Sequence, residues 1–145
     1  MLKENANKAT ASDTMLNHFE KEMTKREEKK KLIKQMNDNR VTLNVGGEQF
    51  HTSRPILTSA GGIFAAILNE NQDSLFLDRD GSVYPFILNY LRQEATRARF
   101  SSTLLPNDQI LLRKLMMMAD FLELTNLQKL CKEKRDKILD WGQPI

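Results

Sequence analysis

A single cysteine, Cys131, leaves this chain of 145 residues without an internal disulfide. That thiol usage is the habit of a reducing compartment, so a cytoplasmic setting is expected. Histidine is nearly as scarce: His18 and His51 stand far from each other and from Cys131 in the sequence. A tetrahedral zinc site cannot be assembled from these three within one chain, and no metal or other cofactor is expected. No stretch approaches the roughly 20 consecutive apolar residues of a spanning helix, so no membrane insertion is expected. Met1-Leu2-Lys3-Glu4-Asn5 has no apolar segment behind its charge and does not read as a secretory signal. Missing too is any nucleophile, base and metal-ligand set that would suggest catalysis. An enzyme is not expected.

Charge of one sign is lacking in most of the chain. The net charge is +3, yet residues 1–40 hold 10 Lys/Arg against 7 Asp/Glu, while residues 41–145 hold 12 of each. The excess therefore belongs to an N-terminal arm. A neutral remainder argues against a nucleic-acid partner, whose phosphates require clustered Lys and Arg. Lys29-Lys30-Lys31 follows Glu27-Glu28 directly and has no interleaved aromatic, so it reads as a solvated helix face.

Three regions emerge along the chain. Residues 1–13 are small, polar and aperiodic, and are expected to be disordered. Residues 14–39 read as a charged helix, capped at Asp13 or Thr14, with Glu22–Arg26 and Glu27–Lys31 at the favourable four-residue spacing. Leu16, Phe19, Met23 and Ile33 lie on one seam, but Arg26 and Lys30 interrupt it. The pattern leaves open a solvated helix and a weak coiled coil that a partner completes. Residues 40–140 form the globular domain.

Within that domain Val41, Leu43 and Val45 alternate with Thr42 and Asn44, the two-residue period of a half-buried strand. Gly46-Gly47 supplies a hairpin, and Glu48 to Thr52 returns as a second strand with Phe50 inward. Ser53 is expected to cap a turn of helix with Pro55 in its first turn. After a break at Thr58 to Gly62, Ile63 to Leu68 reads as a short, largely buried helix. A polar loop, Asn69 to Asp73, leads to a third strand near Leu75-Phe76-Leu77, closed by Asp80-Gly81. Ser82 is expected to cap a helix through Gln93, whose Val83, Phe86, Ile87, Tyr90 and Leu91 form one core-facing stripe. An irregular stretch, Glu94 to Leu105, precedes a helix opened by Pro106-Asn107-Asp108. Ile110, Leu111, Leu115, Met118, Phe121 and Leu122 give it a broad apolar face. A last helix from about Thr125 carries Leu127, Leu130, Cys131 and Ile138 until Trp141-Gly142-Gln143-Pro144 stops it. Strands come first and helices after, with one strand between, so the fold class is α+β. About three strands and five helices are expected, preceded by the charged helix.

These segments resemble the BTB/POZ superfamily, in its potassium-channel tetramerisation branch and KCTD-type relatives. The resemblance rests on Leu43-Asn44-Val45-Gly46-Gly47, Phe50-His51-Thr52-Ser53, Leu57-Thr58, Phe64, Phe76-Leu77-Asp78-Arg79-Asp80-Gly81, Ile87-Leu88-Asn89-Tyr90-Leu91-Arg92, Leu105-Pro106 and Ala119-Asp120-Phe121. Eight fragments fall in the family's order between about residues 40 and 135. Two departures stand out: Gln93 to Leu105 makes a longer loop than the family's usual turn, and no spanning segment is present to form a pore.

The resemblance implies a homo-oligomer, a tetramer or pentamer, that presents a protein-binding surface. Asp78, Arg79 and Asp80 are then expected at the oligomer interface, with Arg79 meeting a carboxylate of the neighbouring subunit. Read without the resemblance, the same three residues are a solvent-facing turn. The hydrophobic-x-acid pattern of cullin-3-recruiting relatives falls at Leu68-Asn69-Glu70, with Phe64 or Leu68 as the apolar anchor. Phe64, Leu68 and Glu70 are therefore the partner-binding candidates for a ubiquitin ligase adaptor. The alternative is a stand-alone tetramerisation domain that co-assembles with channel or other KCTD-type subunits. Met116-Met117-Met118 suits core packing, with at least one side chain exposed, and Cys131 reads as an inert core thiol.

Overall fold

The computed structural model describes residues 11–142 and divides the chain into two units, residues 1–35 and 36–145. The first unit is one helix, α1, which runs from Ala11 to Asp38 and so extends into the second. It starts earlier than the expected residue 14, and no Gly or Pro interrupts it. Glu27 pairs on it with Lys30 at 3.3 Å, one residue short of the expected Lys31. Met23 and Ile33 of the interrupted seam are exposed. The tail expected at residues 1–13 lies, for residues 1–10, outside the described residues. So do the side chains of Leu16, His18, Phe19 and Trp141 and the stop expected at Gln143-Pro144.

The second unit is built on a three-stranded sheet: β1 (Arg40–Val45), β2 (Glu48–Ser53) and β3 (Ser74–Leu77), in the order β2-β1-β3. β2 pairs antiparallel with β1 through the Gly46-Gly47 turn, and the Asn44 side chain accepts from the Gly47 N–H at 2.9 Å. β3 lies parallel to β1, with Leu75 opposite Leu43 and Phe76 opposite Asn44. The two-residue period then decides which side chains enter the core. Val41, Leu43 and Val45 are each no more than 1% exposed, whereas Phe76, on the opposite face, is 62% exposed.

Helices cover the apolar face: α2 (Arg54–Thr58), α3 (Gly62–Ile67), α4 (Tyr84–Ala95), α5 (Gln109–Phe121) and α6 (Thr125–Gly142). One core joins the strand residues to Leu57, Phe64, Ile87, Leu91, Leu112, Leu115 and Leu127, all fully buried. Each such side chain is worth about 1.5–3 kcal/mol relative to exposure. Phe50 packs on Tyr84 with ring centroids 5.8 Å apart, and Ser59 Oγ donates to the Leu91 carbonyl at 3.0 Å, tying α2 to α4. The long connection after α4 is pinned by Phe100 edge-on to Tyr90 at 5.4 Å and by Lys134 Nζ donating to the Ser102 and Leu105 carbonyls. The α+β class holds, with three strands and five helices after the charged one.

Four local expectations are corrected. Ser53 occupies the N-cap of α2 but its buried hydroxyl bonds to no protein atom. The cap before α4 is Asp80, not Ser82: its carboxylate accepts from the Ser82 N–H at 2.9 Å and starts a 3-10 turn, Gly81–Val83, ahead of the helix. α3 is not largely buried, because of its residues Phe64 alone is buried and Ala65, Ala66 and Ile67 face solvent. On α5, Ile110 and Phe121 lie outside the core while Leu112, absent from the expected face, is fully buried.

Candidate functional site

The turn Asp78-Arg79-Asp80 follows β3 and is exposed at all three residues. Its place is set by glycine. Gly46 has φ +59, its N–H donates to the Leu77 carbonyl at 2.9 Å, and a Cβ there would collide with the Arg79 carbonyl. The hairpin turn can therefore approach the Asp78–Asp80 segment only with glycine at this position.

From that position the segment reaches α5. The Arg79 guanidinium lies over the Phe121 ring, 3.7 Å from its centroid. The Asp80 carboxylate meets Lys114 Nζ at 3.4 Å. Donation from the Ser82 backbone N–H and hydroxyl, with Lys114 alongside, holds Asp80 below the usual carboxylate range. Lys114 and Phe121 belong to a stripe on α5: Ile110, Lys114, Met117 and Phe121 recur at spacings of four, three and four, one face of a helix. Three of the four are apolar and outward, with Ile110 69%, Met117 66% and Phe121 38% exposed. The outer face of α5 thus sets this apolar stripe beside the exposed Gln109, Arg113 and Asp120. The signal for this stripe was present in the spacing, but α5 carries apolar residues on both its core-facing and its outward side, and their periodicity alone does not say which is core.

The second candidate set divides. Phe64 is fully buried, so it packs the core and offers no anchor to a partner; this corrects its expected role. Leu68 is half-buried and Glu70 exposed, and both belong to the connection between α3 and β3. Met118 is buried and Met116 half-buried, leaving Met117 as the outward methionine. Burial pushes the Cys131 thiol up to about 11, against a weaker opposing effect of Lys134. Among the described residues, no three His, Cys, Asp or Glu side chains gather as a metal site would need. Among them, too, no helix is long and apolar enough to cross a membrane.

The BTB/POZ domain family model matches residues 41–131. The BTB/POZ domain-containing protein KCTD21 of Mus musculus and that of Homo sapiens are each 36% identical to the chain over 102 residues, 65% of this chain and 36% of theirs. The chain thus aligns with little more than a third of the length of these relatives. Taken with the strand and helix order above, the match over residues 41–131 shows that the chain belongs to the BTB/POZ domain family, in its potassium-channel tetramerisation, KCTD-like branch, a family of oligomerisation and protein-interaction domains.

Proposed function

We propose that the chain assembles with copies of itself through the outer stripe of α5 and the Asp78-Arg79-Asp80 turn. The observation that carries this reading is the contiguity of the two, joined by the Arg79–Phe121 and Asp80–Lys114 contacts. A ring of head-to-tail contacts sets one face of each subunit against a different face of the next. Arg79 spends the face of its guanidinium on Phe121 and keeps its N–H edge for a carboxylate of the neighbouring subunit. On this reading the domain is a scaffold rather than an enzyme, working in a reducing, cytoplasmic setting. Light scattering on the full chain tests it: Met117→Glu should reduce the native mass toward that of one chain, and an unchanged mass rejects the stripe as an interface.

We propose further a partner surface at Leu68 and Glu70, supported by the hydrophobic-x-acid pattern of the resemblance, with cullin-3 as the partner and the assembled chain as a ligase adaptor. An apolar anchor beside a charged rim is the usual composition of a binding hot spot. Failure of the purified protein to bind cullin-3 at tens of micromolar removes this adaptor role. Recovery of other BTB chains without cullin-3 would instead favour co-assembly with channel or KCTD-type subunits through the same stripe.

A further inference from the structure

Arg54 opens α2, but its side chain serves a loop fifteen residues further along. One Nη donates to the Asn69 carbonyl, and the other donates to the carbonyls of Glu70 and Gln72, each at 2.8 Å. Three carbonyl dipoles converge on one guanidinium. Oxygens gathered in this way repel one another, and the guanidinium among them offsets that repulsion while joining three points of the turn to one side chain. The path of the loop is therefore tied to the charge and shape of the side chain at 54.

The base of this arrangement is firm. The Arg54 backbone N–H donates to the Asn39 carbonyl at 2.8 Å, and its carbonyl accepts from Thr58 Oγ1 at 2.8 Å. The loop adds bonds of its own: Gln72 N–H to the Asn69 carbonyl at 3.0 Å, and Gln72 Nε2 to the Ser74 carbonyl at 3.1 Å. Thr42 N–H holds its far end through the Asp73 carbonyl at 2.9 Å. No regular secondary structure supports the turn itself.

We infer that Arg54 is the positioning residue of the partner surface: its planar fork sets the Asn69–Gln72 turn, and through the turn the places of Leu68 and Glu70. The inference rests on the reading of those two residues as partner-binding. Lysine brings the charge but donates from a single nitrogen, so it cannot span carbonyls that Arg54 reaches from two separate nitrogens.

Hydrogen exchange on the full chain tests this with Arg54→Lys and Arg54→Ala. The Gln72 amide should exchange at least about tenfold faster in both variants, while the β1 amides and the native mass stay as in the parent. Millimolar guanidinium ion should slow Gln72 again in Arg54→Ala, a rescue that a general loss of stability would not give. Unchanged exchange at Gln72 overturns the inference; if Arg54→Ala does not fold, Arg54→Lys decides alone. With cullin-3 as probe, Glu70→Gln should weaken binding in the parent and have little further effect in Arg54→Lys. Additive losses would overturn positioning through the turn. Absence of cullin-3 binding by the parent, with exchange still accelerated in the variants, removes the cullin-3 reading and leaves the control of the turn by Arg54 standing.

Discussion

Arg79, in the turn after β3, lies over the ring of Phe121, the last residue of α5, with 3.7 Å between guanidinium carbon and ring centroid. This contact joins a loop that the family resemblance implies for a subunit interface, and that otherwise reads as a solvent-facing turn, to a helix whose apolar face was expected in the core. At a half-exposed ring it is worth about 0.5–1 kcal/mol. Its larger consequence is orientation. With the Arg79 guanidinium held over Phe121, the proposed assembly has its N–H groups meet a carboxylate of an adjoining subunit.

Reversing the charge at this point separates stability from assembly. Arg79→Glu should lower monomer stability by no more than about 1 kcal/mol, since it removes one exposed cation–π contact. The native mass measured by light scattering should nonetheless fall. A mass equal to the parent's would reject Arg79 as an interface residue.

Phe64 distinguishes core from anchor. Truncation of a fully buried phenylalanine to alanine removes packing and leaves a cavity, costing about 3–5 kcal/mol. Phe64→Ala should therefore shift the denaturant midpoint strongly, whereas Leu68→Ala, at a half-buried site, should shift it much less. A Phe64→Ala protein of parental stability with a specific loss of partner binding would contradict the core assignment.

Gly46 combines positive φ with close approach to the Arg79 carbonyl. Gly46→Ala should destabilise the domain by more than about 1 kcal/mol, because both conditions penalise a Cβ. Gly47, with φ +101 but open space around it, carries the conformational penalty alone. Urea denaturation of the two variants should rank Gly46→Ala below Gly47→Ala.

Alkaline pH addresses Cys131. Its thiol is raised from 9.0 to about 11 by burial, so the folded protein keeps a proton that the unfolded chain releases. The stabilisation is complete below pH 9 and is lost as pH rises toward 11. The parent should thus lose more stability than Cys131→Ala between pH 9 and 11. Equal slopes of denaturant midpoint against pH for the two proteins would refute the shift. The native thiol should also resist alkylation at pH 8 until the protein unfolds.

The strands were legible because alternation is unambiguous over a run such as Val41 to Val45, and the glycine pair marks the hairpin. The α4 stripe was legible for the same reason, with Val83, Ile87, Tyr90 and Leu91 all buried as its spacing demands. Two of the misreadings have related causes: Ile63 to Leu68 is a continuous apolar run, and α5 carries apolar residues on both its core-facing and its outward side, so neither pattern alone fixes which side meets the core. Asp80-Gly81-Ser82 offered two capping side chains, and the 3-10 turn ahead of α4 decided for the first. The contacts of Arg79 with Phe121 and of Arg54 with the Asn69 to Gln72 carbonyls join segments distant in sequence, and no local pattern announces them.

The parallel pairing of β3 with β1 also imposes a schedule. An antiparallel hairpin such as β1–β2 can close by itself within microseconds, but β3 finds its neighbour only after the intervening chain has been traversed. The segment beyond Leu77 therefore takes its place later than the hairpin, and if copies assemble through it as proposed, subunits should meet as completed monomers rather than fold upon each other.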